Sequence, residues 1–180
     1  MTASLSVSPV VQFAKLSGFS PIITTASKHN EAYLKSLGAT HVIDRSTPLS
    51  EIPALIRQIT SEPVKIAYDA ISDASTQNLC YDVLAPGGQV VIGLPSEIQQ
   101  AKLSSEKRIV SVFGNVHMPE QRPVGASFYQ KVTELVANGE IKVRTTNQRS
   151  MNDRLIPVNS LTTLKCFQTV FLVYRMAWRD

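Results

Sequence analysis

Residues 21–45, PIITTASKHNEAYLKSLGATHVIDR, hold one complete strand–helix–strand pattern. Pro21 to Ala26 is a short β-branched apolar run, long enough for one buried strand. Ser27-Lys28-His29-Asn30 is polar and suited to turning the chain and capping the next helix. Glu31 to Leu37 has helical spacing, with Ala32, Tyr33, Leu37 and the stem of Lys35 available to cover a sheet. Gly38 stands where a helix end wants a residue tolerant of positive φ. His41 to Asp44 is a second short strand. Strand, helix, glycine and strand in this order predict a βαβ crossover, which normally joins parallel strands.

The same alternation continues on both sides of this stretch. Ser8-Pro9 opens a helix with Val10, Val11, Ala14 and Leu16 on its apolar face, closed by Gly18. Pro48 to Thr60 is amphipathic through Ile52, Leu55, Ile56 and Ile59. Val64 to Ala70 reads as a strand, and Asp73 caps a helix running to Leu84. Pro86-Gly87-Gly88 turns into a buried strand from Gln89 to Gly93, and Ser96 to Ser105 is loop. Arg108 to Phe113 alternates as a strand. Ser127 to Asn138 is helical, with Phe128, Val132, Leu135 and Val136 inward. The fold class is therefore α/β, a Rossmann-type parallel sheet flanked by helices.

Composition bounds the function. The 180 residues are 43% hydrophobic and 18% charged, which suits one soluble domain. The net charge of +4 comes from residues 143–180, with six basic residues against Asp153 and Asp180. The rest is balanced, so no nucleic-acid-binding face is expected. Cys80 and Cys166 give no disulfide framework and no zinc spacing. No secretory leader and no apolar run of membrane-spanning length is visible, and Val170 to Ala177 is short and holds Arg175. A reduced, cytoplasmic setting without membrane or nucleic-acid partners is the expectation.

The blocks ITTASKHNEAYLKSLGATHVIDR, YDAIS, LAPGGQVVIGLP and VFGNVHMPEQRP, in that order, resemble the nucleotide-binding half of medium-chain dehydrogenases/reductases. The similarity is greatest to the zinc-independent quinone reductase and trans-enoyl reductase branch of fungi, over about residues 10–142. It implies NADPH as cofactor, no zinc, and hydride transfer to an activated alkene, enone or quinone. It places Ser27, Lys28 and Asn30 at the 2′-phosphate of the cofactor. A hydroxyl, an ammonium and an amide suit that phosphate, and no carboxylate precedes Glu31 to select a 2′-hydroxyl instead. The alternative for this turn is a solvated helix cap. Arg45 stands near the adenosine, either as a phosphate or adenine contact or as an ordinary surface residue. Ile71, after the fourth strand of the family's sheet, and Gly93-Leu94-Pro95, after the fifth, lie along the cofactor. The stretch Val112 to His117 joins subunits edge to edge in some dimeric members, which implies a homodimer. His117 reads as structural, and no G-x-S-x-G elbow supports a serine triad.

Two departures from the family's pattern stand out. No glycine precedes Gly18, so Val7-Ser8-Pro9 replaces the glycine-rich turn that approaches the pyrophosphate. The first strand, central in this architecture, is missing or reduced, and Thr2 to Val7 is expected to fill its place imperfectly. Residues 1–142 are thus expected to form a partial dinucleotide-binding domain without the family's N-terminal catalytic domain. A catalytically inactive fragment is the alternative to an active reductase. Residues 143–180 match nothing in the family. They are expected to be a tail outside the cooperative core, the product of intron read-through or an altered exon. Its late apolar run, Phe167 to Val173, has two available places: a strand, or one helix against the sheet's open surface.

Overall fold

The computed structural model describes residues 7–142 and the backbone of 169–173. Residues up to Asn115 form one compact unit together with the strand at 169–173, and a second unit begins at Val116.

Five strands of the first unit come from its continuous part: β1 (Ile22–Ala26), β2 (His41–Asp44), β3 (Val64–Asp69), β4 (Gln89–Ile92) and β5 (Arg108–Ser111). The sixth, β6 (Thr169–Val173), comes from the far end of the chain. The sheet order is β2-β1-β6-β3-β4-β5. β1 pairs β2, β3 pairs β4 and β4 pairs β5, all parallel. β6 lies antiparallel to both β1 and β3, with Phe171 opposite Ile23 on one side and Ala67 on the other.

This is the doubly wound order with one substitution. The central place expected of Thr2–Val7 is held by Thr169–Val173. Residues 2–6 lie outside the described residues, and Val7 already belongs to helix α1 (Val7–Leu16). The physical reason is edge satisfaction. Without a strand between them, β1 and β3 would each present a row of unpaired backbone groups in the middle of the sheet. A β-branched segment of either direction fills that row, because antiparallel pairing is at least as stable per residue as parallel. Of the two places open to the late apolar run, the strand is the one it takes.

Helices cover both faces. The alternation along β1 sends Ile22 to one side and Ile23 to the other. Ile22 joins Val11 and Ala14 of α1 and Leu34 and Leu37 of α2 (Glu31–Leu37). Ile23 joins Ile52 and Ile56 of α3 (Ile52–Ile59) and Leu79, Cys80 and Leu84, the first two from α4 (Ala74–Val83). The inward face of α2 differs from the expected one: Leu34 is fully buried, whereas Ala32 and Lys35 are exposed. Lys35 instead pairs with Glu31 at 2.8 Å across one helical turn. The helix is entered through a 3₁₀ turn at Lys28–Asn30, and its buried face is the i, i+3 pair Leu34 and Leu37.

Helix ends follow their chemistry. Phe19 N–H donates to the carbonyl of Ala14 and Gly18 N–H to that of Lys15, a Schellman closure with Gly18 at φ 76°. Gly38 has φ 126°, and a Cβ there would stand 2.7 Å from Cδ of Lys15. Glycine therefore serves both the turn and the close crossing of α1 and α2.

In the second unit, α5 (Arg122–Ala137) starts five residues before the expected Ser127. Pro123 is compatible with a first helical turn, and Gly125 packs so closely on Val116 that a Cβ would approach its Cγ1 to 2.7 Å. Of its four residues expected inward, Phe128 and Val136 are exposed.

Candidate functional site

The carboxyl ends of β1, β2 and β3 open onto a cleft of about 350 Å³. Thr25 comes from β1, and Arg45, Thr47, Pro48 and Leu49 follow β2. Ile52 and Leu79 supply apolar wall from α3 and α4. Ile71, Ser75 and Thr76 come from the β3–α4 turn and the first turn of α4. Its position outside the strands' carboxyl ends, beside the place where the sheet order reverses, is where open α/β sheets gather ligands. The apolar walls suit a flat heterocycle, and the hydroxyls and guanidinium at the rim suit polar groups attached to it.

The turn from Ser27 to Asn30 leaves β1 at the same end of the sheet. Neither Ser27 nor Asn30 spends its side chain on a helix cap. Lys28 is exposed and makes no hydrogen bond or ion pair among the described residues. The carboxylates nearest it in the chain are already engaged. Glu31 is bound by Lys35, whose hydrogen bond and charge hold its carboxyl below the ordinary value. Asp44 accepts from Ser46 N–H at 2.8 Å and Ser46 Oγ at 2.7 Å, and these bonds hold it low as well.

Beneath the cleft lies a buried polar network that the sequence reading did not find. Asp69, at the end of β3, is 1% exposed. Its Oδ1 accepts from Ile71 N–H at 3.0 Å and its Oδ2 from Thr76 Oγ1 at 2.7 Å. Burial pushes its carboxyl above the ordinary value, against the opposing pull of bonds from the Ser72 and Ile71 backbone and the Thr76 hydroxyl. Asp73 does the capping: its Oδ1 accepts from Ser75 N–H and Thr76 N–H, both at 2.9 Å. Partial burial raises Asp73, but these bonds and that of Ser75 Oγ outweigh it and hold the carboxyl low. Ser72 has φ 58°, unusual for a residue with a side chain, and is buried.

The expected site residues divide into three groups. Arg45 and Ile71 line the cleft. Ser27, Lys28 and Asn30 stand at the adjoining turn but not in its walls. Gly93, Leu94 and Pro95 follow β4 as an exposed loop, also outside the lining. Every other lining residue was missed: Thr25, Thr47, Pro48, Leu49, Ile52, Ser75, Thr76 and Leu79. Asp73-x-Ser75-Thr76 is a readable cap pattern, but only the crossing of β3 and α4 shows that it faces Thr25. Among the described residues no group of three or more His, Cys, Asp or Glu is placed to hold a metal ion. No helix among them is long and apolar enough to cross a membrane.

A sheet of this order, wrapped by helices on both faces and open at its carboxyl ends, defines a doubly wound α/β unit of the Rossmann type. The sequence profile of the zinc-binding dehydrogenase family matches residues 8–138, and the chain belongs to that family. Among curated proteins it is 41% identical over 78 residues to the trans-enoyl reductase FSL5 of Gibberella zeae, covering 43% of this chain and 21% of that protein. It is 27% identical over 156 residues to the trans-enoyl reductase BOA5 of Botryotinia fuckeliana, covering 78% of this chain and 41% of that protein. The chain thus spans less than half the length of these relatives. Among solved structures it resembles the quinone oxidoreductase of Pseudomonas syringae, with TM-score 0.66 and 22% identity over 79% of this chain and 45% of that one. It also resembles the nucleotide-binding subdomain of the enoylreductase domain of PpsC from Mycobacterium tuberculosis. There the TM-score is 0.56 and the identity 21%, over 76% of this chain and 79% of that one. These likenesses establish the fold of the nucleotide-binding half of medium-chain oxidoreductases.

Proposed function

We propose that the chain is the cofactor-binding part of an NADPH-dependent oxidoreductase that reduces an activated alkene, enone or quinone. One observation carries the reading: at the ends of β1 and β2, an apolar cleft rimmed by Arg45 adjoins a turn where Lys28 makes no hydrogen bond or ion pair among the described residues. Its charge acts only at longer range on Glu31 and Asp44, which are already engaged by Lys35 and Ser46. A nucleotide with an extra phosphate on its ribose meets cations there and no carboxylate in need of a partner. The names of the fungal relatives point to enoyl reduction, and a mycobacterial neighbour of 17% identity was solved with NADPH.

In this reading Ile52, Ile71 and Leu79 sandwich the adenine and Thr25 and Arg45 hold its polar edge and ribose. Ser27, Lys28 and Asn30 hold the 2′-phosphate, and Gly93 to Pro95 flank the nicotinamide end. When bound, the nicotinamide supplies the hydride. The protein's part is to bind, orient and exclude water. The fit fails at one point. The first turn of α1 carries Pro9, which has no N–H to offer a pyrophosphate, so affinity is expected to be low. The edge strand β5, followed by exposed Val112 and Phe113, supports a homodimer through this stretch. Sedimentation of the purified chain as a monomer at all concentrations would reject that dimer.

A second reading, binding without turnover, is favoured by the antiparallel β6 in the central place and by Pro9 at the head of α1. The two are separated by mixing purified protein with NADPH and either 1,4-naphthoquinone or an enoyl thioester. Oxidation above a heat-killed control supports the reductase, and binding without oxidation supports the second reading.

A further inference from the structure

Two loops at the ligand end of the sheet are tied together by one buried amide. Gln77, on α4, has no exposed surface. Its Nε2 donates to the carbonyl of Ser72 at 2.9 Å and to that of Pro95 at 3.0 Å, and its Oε1 accepts from Glu97 N–H at 2.7 Å. Ser72 makes a second tie. Its hydroxyl donates to the carbonyl of Asp69 at 2.9 Å and accepts from Gly93 N–H at 3.0 Å. The β3–α4 turn, which supplies Ile71 to the cleft, is thereby fixed to the Gly93–Pro95 loop, which lies outside the cleft's lining.

Such an arrangement has a structural cost. It holds Ser72 at φ 58° and buries an amide whose donors and acceptor must all be matched. An apolar side chain packed at position 77 would stabilise α4 without that requirement. A tie of this kind matters where two loops must keep their spacing against a common ligand.

We propose that Ser72 and Gln77 are positioning residues that hold the Gly93–Pro95 loop at a set distance from the cleft, so that one extended dinucleotide engages both. The inference rests on the cofactor reading above. It makes the two loops one binding surface, with the adenosine end in the cleft and the nicotinamide end on the loop. Deleting either tie loosens the loop and leaves the cleft's own lining in place.

Calorimetric titration of 2′,5′-ADP and of NADPH into the full chain tests this, using wild type, Ser72→Gly, Ser72→Ala and Gln77→Met. The fragment 2′,5′-ADP reaches only the cleft and the Ser27–Asn30 turn; NADPH spans both loops. The expected result is NADPH binding weakened about tenfold in every variant, with 2′,5′-ADP within about threefold of wild type. Ser72→Gly relieves the positive φ that Ser72→Ala keeps, so the two differ in stability but should lose NADPH affinity alike. Because glycine suits that backbone, Ser72→Gly carries the test if Gln77→Met does not fold. Equal weakening of both ligands, unchanged NADPH binding, or losses that track stability would overturn the positioning role while leaving the cofactor reading intact. A wild type that binds neither ligand overturns the cofactor reading itself, and the positioning role with it.

Discussion

Asp69 and Asp73 stand four residues apart, and their carboxyls are shifted in opposite directions from the ordinary value. Asp69 is buried beneath the β3–α4 turn and its carboxyl is raised by that burial. Asp73 caps α4 and, despite partial burial, is held low by its bonds to Ser75 and Thr76. For Asp69 the unfolded chain ionises first as pH rises, at about 3.9. Over the interval from there to its raised folded value, the folded state binds more protons and stability falls with rising pH. For Asp73 the sign is reversed, and stability is lost as pH falls through its lowered value. Asp69→Asn should remove the first effect alone. Urea unfolding across a pH series should show the variant gaining on wild type as pH rises out of the acid range, and parallel curves would contradict this. The chemistry of these residues was partly legible. Asp73 is recognisable as a cap from its Ser and Thr two and three residues on. Asp69 gave no such signal, because its partner Thr76 becomes a neighbour only when β3 ends and α4 turns back over it.

At the scale of elements, short-range signals located most boundaries and long-range contacts decided the faces. β1, β2 and the cap of α4 lie where β-branched runs and polar caps put them. α2 shows Leu34 inward instead of Ala32, because Leu34 lies one helical turn from Leu37 on the same face. Gly38 was legible as a helix end, but its second duty, passing Lys15 of α1, was not. That duty gives a prediction. Gly38→Ala should cost about 1–3 kcal/mol in urea unfolding, since it combines strained φ with a clash at Lys15. Gly93→Ala, where nothing lies within 4 Å of the added carbon, should cost little. Equal costs at the two positions would contradict the role given to the α1–α2 crossing. A second prediction concerns β6. Phe171 pairs with Ile23 and Ala67 on its two sides, so proline there removes a donor from the middle of the sheet. Phe171→Pro should abolish cooperative unfolding and expose the amides of Ile23 and Ala67 to rapid hydrogen exchange. Wild-type protection of both amides in this variant would show that β6 is dispensable.

For the whole molecule, the sheet order β2-β1-β6-β3-β4-β5 keeps the family's layout while exchanging its central strand. The expectation of a parallel sheet holds for β1 to β5 and is modified by β6 alone. The need for a strand between β1 and β3 was visible in the sequence, as two edges wanting a partner. Which segment meets it was not: Thr2–Val7 directly precedes α1 in the chain, whereas the more apolar run at 167–173 reaches the place only by a long-range return. The site has the same history. Its turn and Arg45 were readable from residue chemistry, whereas the cleft walls depend on α3 and α4 meeting over β1 and β3. That this end of the sheet receives a 2′-phosphorylated dinucleotide is tested most directly by calorimetric titration of NADPH and NADH into wild type and Lys28→Ala. A charge-assisted bond is worth roughly 1.5–3 kcal/mol, so NADPH should bind about tenfold to a hundredfold more tightly than NADH, and Lys28→Ala should erase most of that difference. Equal affinity of wild type for the two cofactors, or a Lys28→Ala protein that keeps the full preference, would contradict the assignment.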